Sequence, residues 1–379
     1  MRFLVNREKL CEAVMNLSRA VSTKATFPVL EGIHMTATPD GLKMMAYNLE
    51  IGMTKTIDII CAEEGSIVFK AKLLGDILRS MTDDTVSFEV NDRMVCKIKC
   101  GSAMFDIMGM PASDFPEMPT VDDCDSLSFP CEVLKDMVRQ TVFATAQADA
   151  QKPILTGLLF DIEEDNVKVV GVDGYRLAVR KQMLNLGKKM SFVISAKTIG
   201  EVVKIISEND ENIEFFVGRR HVSMCVDGYS VVSRKIEGEF IDYKKIMPSS
   251  FSTTFKVNTK AISSTIERIS LIINDQLKTP MRCKIEAEEI IFSCATALGR
   301  ATDSYKTEIS GETFEIGINN RFLLDALKNC DSEEVVMNFN GSFASVIILP
   351  PEGDDFVYMV MPMRLKAEGC RKLKFILNI

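Results

Sequence analysis

The sequence predicts an α+β chain made of three tandem copies of one unit, each with two amphipathic helices and many strands. Three observations carry that expectation. A helical apolar pattern opens each copy, at 6–21 (NREKLCEAVMNLSRAV), 130–145 (PCEVLKDMVRQTVFAT) and 258–273 (NTKAISSTIERISLII). A second helical pattern follows and shares a basic position, Lys72, Lys197 and Arg321, at intervals of 125 and 124 residues. Between the two helices a proline leads a strand-like run, at Pro28, Pro153 and Pro280, with intervals of 125 and 127.

Taken in order, the first helix repeats Leu10, Ala13, Val14 and Leu17 on one face. The runs PVLEGIHM, PILTGLLF and PMRCKIEA each predict a strand from their proline. The second helices are KAKLLGDILRSM from Lys70, SAKTIGEVVKIIS from Ser195 and NNRFLLDALKNC from Asn319. Alternating runs TVSFEV, NIEFFV and EVVMNF then read as strands with one buried face. Two copies close with related turns, ASDFPEMP at 112–119 and EGEFIDYKKIMP at 237–248. The constant spacing leaves almost no linker, and adjoining repeats of this kind stack into an arc or ring. The expected domains are 1–122, 123–249 and 250–365, with a C-terminal extension at 366–379.

An apolar share of 46% and a charged share of 26% describe an ordinary globular protein. No apolar run reaches the ~18 residues a membrane-spanning helix requires, and MRFLVNREKLCEA meets charge too early for a secretory signal. Eleven scattered cysteines without paired Cys-x-x-Cys elements predict reduced thiols in a cytoplasmic chain and no zinc site. Cys96 and Cys100, in MVCKIKCG, fall on a predicted strand.

The formal charge of −8 is unevenly spread. The windows 6–20, 70–81, 130–140, 195–207, 258–270 and 319–330 hold fourteen Lys and Arg against eight Asp and Glu, a net of +6 that leaves −14 on everything else. If these helices share a face, that face attracts phosphate while the remainder repels it. Lys-rich helices also serve solubility, and that reading stands beside the first. No base-reading motif accompanies the charge, and with no Trp and six Tyr, base stacking is not the main device. Any nucleic-acid contact is then expected at the backbone.

Catalytic signatures are missing from the sequence: no phosphate-binding P-loop, no Gly-x-Ser-x-Gly, no His-Glu-x-x-His. His34 and His221 lie in strand-like runs, and the acidic clusters at 122–125 and 352–355 read as solvated loops. The segment VVGVDGYRLAVRK, 169–181, carries an Asp-Gly turn between apolar runs. It reads as a tight turn; an enzymatic alternative would recruit Asp173, Tyr175 and Arg176.

The three repeats, DGYRLAV, EGEFIDYKKIMP and the terminal VYMVMPMRL together resemble the bacterial sliding clamp family, the β subunit of DNA polymerase III, over residues 1–365. The resemblance implies a three-domain crescent, inner helices and outer antiparallel sheets, that dimerises head to tail into a ring around duplex DNA. It implies a processivity factor with no cofactor and no activity of its own. The partners would be the polymerase III catalytic subunit, the clamp loader, and other polymerases and repair factors carrying short clamp-binding peptides. Those peptides would dock in a groove of Leu155, Val172, Gly174, Tyr175, Arg176, Leu177, Ile241, Lys245, Ile246, Val360, Met361, Pro362, Met363, Arg364 and Leu365. Unbranched, polarisable methionines suit a groove with several occupants, and Arg176, Lys245 and Arg364 would ring it and pair with peptide groups. Lys24, Lys72, Arg79, Lys152, Lys197, Lys204 and Arg321 would face DNA. Phe105 and Ile107 of one subunit would meet Leu271 and Ile272 of the other.

The chain departs from the family pattern at several points. Val172 stands where Thr is expected, Tyr175 where His is, Ile241 where Pro is, and Asp149 where a glutamine contacts DNA. Residues 366–379, with four basic residues and the apolar end FILNI, extend past the family's usual end. They read either as a frayed terminus or as a tethered mimic of a partner peptide. A DNA-associated scaffold without a closed ring, and an enzyme acting at Asp173, are the competing functions.

Overall fold

A computed structural model describes residues 1–22, 27–148, 150–273 and 279–365, and the chain divides into two compact units. One combines 1–135 with 194–236; the other combines 136–193 with the residues from 237 onward. The middle repeat is thus divided between them. The reason lies in its strands, which continue the sheets of both neighbouring repeats.

In the first unit a five-stranded sheet runs in the order Ile60–Glu63, Arg2–Asn6, Thr85–Val90, Val95–Cys100, Ala103–Met108. An eight-stranded sheet runs Asp125–Pro130, Asn212–Val217, His221–Val226, Tyr229–Arg234, Ile51–Ile57, Gly41–Tyr47, Gly32–Thr38, Gly65–Lys70. The repeats meet where Tyr229–Arg234 pairs antiparallel with Ile51–Ile57, Val231 opposite Met53. The second unit repeats the plan. Its nine-stranded sheet passes from the middle to the last repeat where Arg176–Met183 pairs with Phe356–Val360, Ala178 opposite Tyr358. Its five-stranded sheet runs Gly299–Lys306, Glu289–Thr296, Met281–Ile285, Phe314–Ile318, Pro362–Met363.

The described helices are α1 (Arg7–Leu17), α2 (Ala71–Ser80), α3 (Cys131–Val142), α4 (Ala196–Val202), α5 (Tyr243–Ile246), α6 (Thr259–Ser270) and α7 (Asn320–Lys328). α1 and α6 start at equivalent asparagines whose side-chain oxygens accept the third backbone N–H: Asn6 from Lys9 and Asn258 from Ala261, both at 3.0 Å. The expected stripe of α1, Leu10, Ala13, Val14 and Leu17, is buried. On α7, Leu323, Leu324 and Leu327 play that part in the core of the second unit.

Two expectations need correction. Pro28 and Pro153 do not begin strands; they open 3-10 turns, Pro28–Glu31 and Pro153–Thr156, and the strands start at Gly32 and Gly157. A proline's fixed φ and missing N–H suit the first position of a helical turn. Pro280 does precede a strand directly, at Met281. The pattern from Ser195 ends as α-helix at Val202, not near Ser207. Val203, Ile205 and Ile206 are β-branched and stiff at χ1, which weakens helical continuation, and the chain tightens into turns there. The ten described cysteines are free, Cys96 and Cys100 being buried on Val95–Cys100. No described helix is long and apolar enough to cross a membrane.

Candidate functional site

The Asp-Gly turn is built as the sequence predicts. Asp173 Oδ1 accepts from the backbone N–H groups of Tyr175 (2.8 Å) and Arg176 (3.0 Å), and Gly174 sits at φ +91°, a conformation costly for any residue with a Cβ. This turn joins Asn166–Val172 to Arg176–Met183 and sets Val172 directly opposite Leu177. Tyr175 is left 66% exposed at its tip.

The segment Phe356–Met363 is tied to the same turn. Val360 pairs with Arg176, and the Met361 N–H donates to the Tyr175 carbonyl at 2.8 Å. Pro362 and Met363 then cross to the other sheet, opposite Ile318 and Gly317. Gly317 permits this crossing: a Cβ there would lie 2.5 Å from the Met363 carbonyl oxygen and 2.7 Å from a Leu365 methyl. A cavity of about 390 Å³ opens beside the crossing, lined by Tyr175, Ile273, Thr279, Asn319, Asn320, Arg321, Phe322, Met361, Pro362 and Met363. Tyr175 and Phe322 face each other across 6.4 Å between ring centroids.

Leu155, Val172, Leu177 and Val360 are buried and do not line this cavity, while Met361 and Arg364 are exposed and Pro362, Met363 and Leu365 half-buried. Ile241, Lys245 and Ile246 come from the segment that enters α5, with Ile246 42% exposed. That helical turn is pinned to Gly157–Ile162. The Tyr243 hydroxyl donates to Asp161 at 2.7 Å, and Lys244 bridges Asp161 and Glu163, each at 3.2 Å. Burial, and then the Asp161 acceptor, push the Tyr243 hydroxyl far above its ordinary titration range. Burial works against the charge on Lys244, but the two carboxylates prevail and hold its ammonium above the usual value.

Arg176 departs from its expected role. Its side chain is 12% exposed, with Nε 3.1 Å from Asp173 and Nη1 2.5 Å from Asp325 of α7. The guanidinium also lies over the rings of Phe322 (4.3 Å) and Phe143 (5.5 Å). Through Nε and Nη1 it braces the turn against α7 and so is not a free cation. Lys245, by contrast, is exposed, its side chain 83% accessible and 2.8 Å from Asp242.

Sequence reasoning missed Phe322, Asn319, Asn320, Asp325 and Phe143. Phe322 had a usable signal. It falls beside the Leu323, Leu324, Leu327 stripe of α7, and an aromatic off the buried face invites a surface role.

The basic positions Lys72, Arg79, Lys152, Lys197, Lys204 and Arg321 are all exposed. Arg79 is paired with Asp76, and Lys204 with Glu201 at 2.8 Å. Lys72, Lys197 and Arg321 are each the second residue of α2, α4 and α7. A cation there opposes the helix dipole, so its threefold recurrence is not explained by helix stability. Lys24 and Asp149 lie outside the described residues, as does the extension 366–379. Phe105 and Ile107 are half-buried on the edge strand Ala103–Met108. Leu271 is 82% exposed just past α6, and Ile272 packs partly against the core of the second unit.

Comparison with known proteins places these features in one family. Family models described as the DNA polymerase III beta subunit match residues 1–119 (N-terminal domain), 128–242 (central domain) and 244–364 (C-terminal domain). The beta sliding clamp of Bacillus subtilis strain 168 is 28% identical over 377 residues, covering 96% of this chain and 100% of that protein. A crystal structure of a DNA polymerase III beta subunit from Eubacterium rectale superposes with a TM-score of 0.91 at 30% identity, covering 96% of this chain and 99% of that one. The DNA polymerase sliding clamp of Bacillus subtilis gives 0.91 at 27% identity, covering 97% and 100%.

Proposed function

Because this chain belongs to the bacterial sliding clamp family, the DNA polymerase III β subunit, we propose that it is a processivity factor: two copies close head to tail into a ring around duplex DNA. The ring slides without reading sequence and tethers the replicative polymerase, the clamp loader and repair proteins through short peptides. It acts in the cytoplasm as an accessory subunit without a cofactor or catalytic centre. Its three domains span about 1–122, 123–249 and 250–365.

The run of the sheets carries this reading. Each repeat hands its sheet to the next, at Met53 opposite Val231 and at Ala178 opposite Tyr358. Among the described residues Ala103–Met108 and Gly299–Lys306 are two of the sheet edges, each paired on one side only. An open edge at each end suits closure by a second copy, and Phe105, Ile107, Leu271 and Ile272 would pack beneath that joint.

Lys72, Lys197 and Arg321, with Lys24, Arg79, Lys152 and Lys204, would supply a cationic lining that touches backbone phosphates only. The peptide groove would use the exposed Tyr175, Met361 and Ile246 over the buried Leu155, Val172, Leu177 and Val360. Lys245 and Arg364 would stand at its rim, with Ile241, Gly174, Pro362, Met363 and Leu365 completing its walls.

The decisive experiment loads the protein onto a nicked circular plasmid with a clamp loader, then linearises the DNA. Retention on the circle and rapid loss from the linear form is the expected result. Equal loss from both would overturn topological binding.

A further inference from the structure

We propose that the Arg180 end of the joint between the middle and last repeats is a recognition pocket for a guanidinium group, the side chain of an arginine presented by a partner protein. The site is separate from the peptide groove proposed above, and it depends neither on ring closure nor on DNA.

The ladder between Arg176–Met183 and Phe356–Val360 runs about 13 Å from Arg176 to Arg180. Its first end meets the Asp173 turn; at its second end Arg180 pairs with Phe356. A cavity of about 390 Å³ opens there. Asp331, Glu352 and Asp355 bring carboxylates to its lining, and among the described residues that line it Arg180 is the only cation. Pro350 and Pro351 add an apolar wall.

Acidic side chains on a loop are ordinarily only solvated. Gln140 distinguishes this cluster. It lines the cavity and is 3% exposed, and its Oε1 is buried without a hydrogen-bond donor. The Nε2 of the same amide donates to Asp331 at 2.6 Å, so turning the amide over would set its oxygen against a carboxylate. A buried acceptor left unmet is costly and marks a place where a donor belongs.

Arg180 does not supply that donor. Its Nη1 donates to the carbonyls of Lys181 and Asp355, each at 2.8 Å, and its Nη2 to Gln182 at 3.4 Å. Its Nε is buried without an acceptor. The Asp355 carboxylate is 3.9 Å from Nη1, and Glu352 is exposed with no hydrogen bond or ion pair among the described residues.

The joint between the first and middle repeats shows the same corner closed. There Tyr229 pairs with Lys55 as Phe356 pairs with Arg180. Asn16 holds the position in the window 6–21 that Gln140 holds in 130–145. Asn16 Nδ2 donates to the Tyr229 hydroxyl at 3.0 Å, and the Lys55 ammonium lies 4.2 Å over the Tyr229 ring. Phenylalanine at 356 removes that hydroxyl, and the Gln140 oxygen loses the group that would meet it.

The chemistry narrows the occupant. A metal ion does not fit, since no group of three His, Cys, Asp or Glu among the described residues could hold one. A lysine ammonium meets the charge as a compact, strongly hydrated point. A guanidinium carries five N–H donors in one plane and is weakly hydrated, so it can reach Gln140 Oε1 and a carboxylate together. Its methylene stem would lie along Pro350 and Pro351, and a backbone carbonyl beside it would meet Arg180 Nε.

The test titrates the full chain with the peptide acetyl-Gly-Arg-Gly-amide by saturation-transfer NMR, against the same peptide with citrulline or lysine in place of arginine. The arginine peptide should bind about tenfold tighter than the uncharged citrulline peptide and about threefold tighter than the lysine peptide. Glu352→Gln and Asp355→Asn, both exposed, should each weaken it about threefold. Phe356→Tyr, which restores the hydroxyl of the first joint, should weaken it at least about fivefold with an unchanged circular dichroism spectrum. No binding, equal binding of the citrulline peptide, or binding indifferent to these substitutions overturns the site. Equal binding of the lysine peptide overturns the guanidinium assignment.

Discussion

Asp325 of α7 holds the Arg176 guanidinium at 2.5 Å, and Asp173 of the turn holds its other side at 3.1 Å. This one cation joins the two walls between which a partner peptide is proposed to dock. Its loss is therefore a structural event as well as a binding one.

Arg176→Ala should lower stability by about 2 kcal/mol, less than the ~3–5 kcal/mol of a fully buried pair because Asp325 is about one-third exposed. Asp325→Asn should produce a loss of similar size, and both should weaken partner-peptide binding. Urea unfolding with fluorescence polarisation separates the two effects. Weakened binding with an unchanged unfolding midpoint would make Arg176 a direct peptide ligand instead of a strut.

Gly317→Ala should displace the segment Pro362–Leu365. The added Cβ meets the Met363 carbonyl at 2.5 Å, and backbone cannot yield as a flexible side chain does. We expect about 1–3 kcal/mol of destabilisation, typical of overpacking, together with at least several-fold weaker peptide binding. Dimer affinity should not change. Peptide affinity equal to wild type would remove Pro362 and Met363 from the groove.

His34 should impose a mild pH dependence on stability. Burial, then the nearby Lys43 charge, lowers its pKa below 6.5. Both ring nitrogens are buried without a hydrogen-bond partner, and the ring stacks on Phe115 at 5.3 Å. The unfolded chain therefore binds a proton more readily than the folded one. The stability from neutral His34 is complete above pH ~6.5 and falls as pH drops from there through the folded pKa. His34→Phe should flatten the fall of the urea midpoint below about pH 6.5. A slope identical to wild type would assign it to His221 or the carboxylates.

Reversing Lys72, Lys197 and Arg321 together to Glu should reduce DNA retention and lower the salt slope by about one per lost phosphate contact. Exposed on their helices, they should leave the melting temperature within a few degrees of wild type. Undiminished loading onto nicked circles at low salt would exclude these residues from the DNA path.

The sequence by itself determined the threefold plan and most element positions. Helical periodicity, asparagine caps and the Asp-Gly turn are local, and each is enforced by a backbone preference or a stripe of buried side chains. The same logic exposed Tyr175 and the terminal methionines as surface groups. Tertiary structure decided what those groups do. Arg176 reads from sequence as a free cation at a rim, yet it is committed to Asp325, 149 residues away. Phe322 comes beside Tyr175 only because α7 packs next to the turn. The middle repeat looks like one domain along the chain but is divided between two sheets, since strand pairing is a long-range contact that no local pattern encodes. That Ala103–Met108 and Gly299–Lys306 lie at sheet edges likewise follows from strand pairing and not from any local pattern.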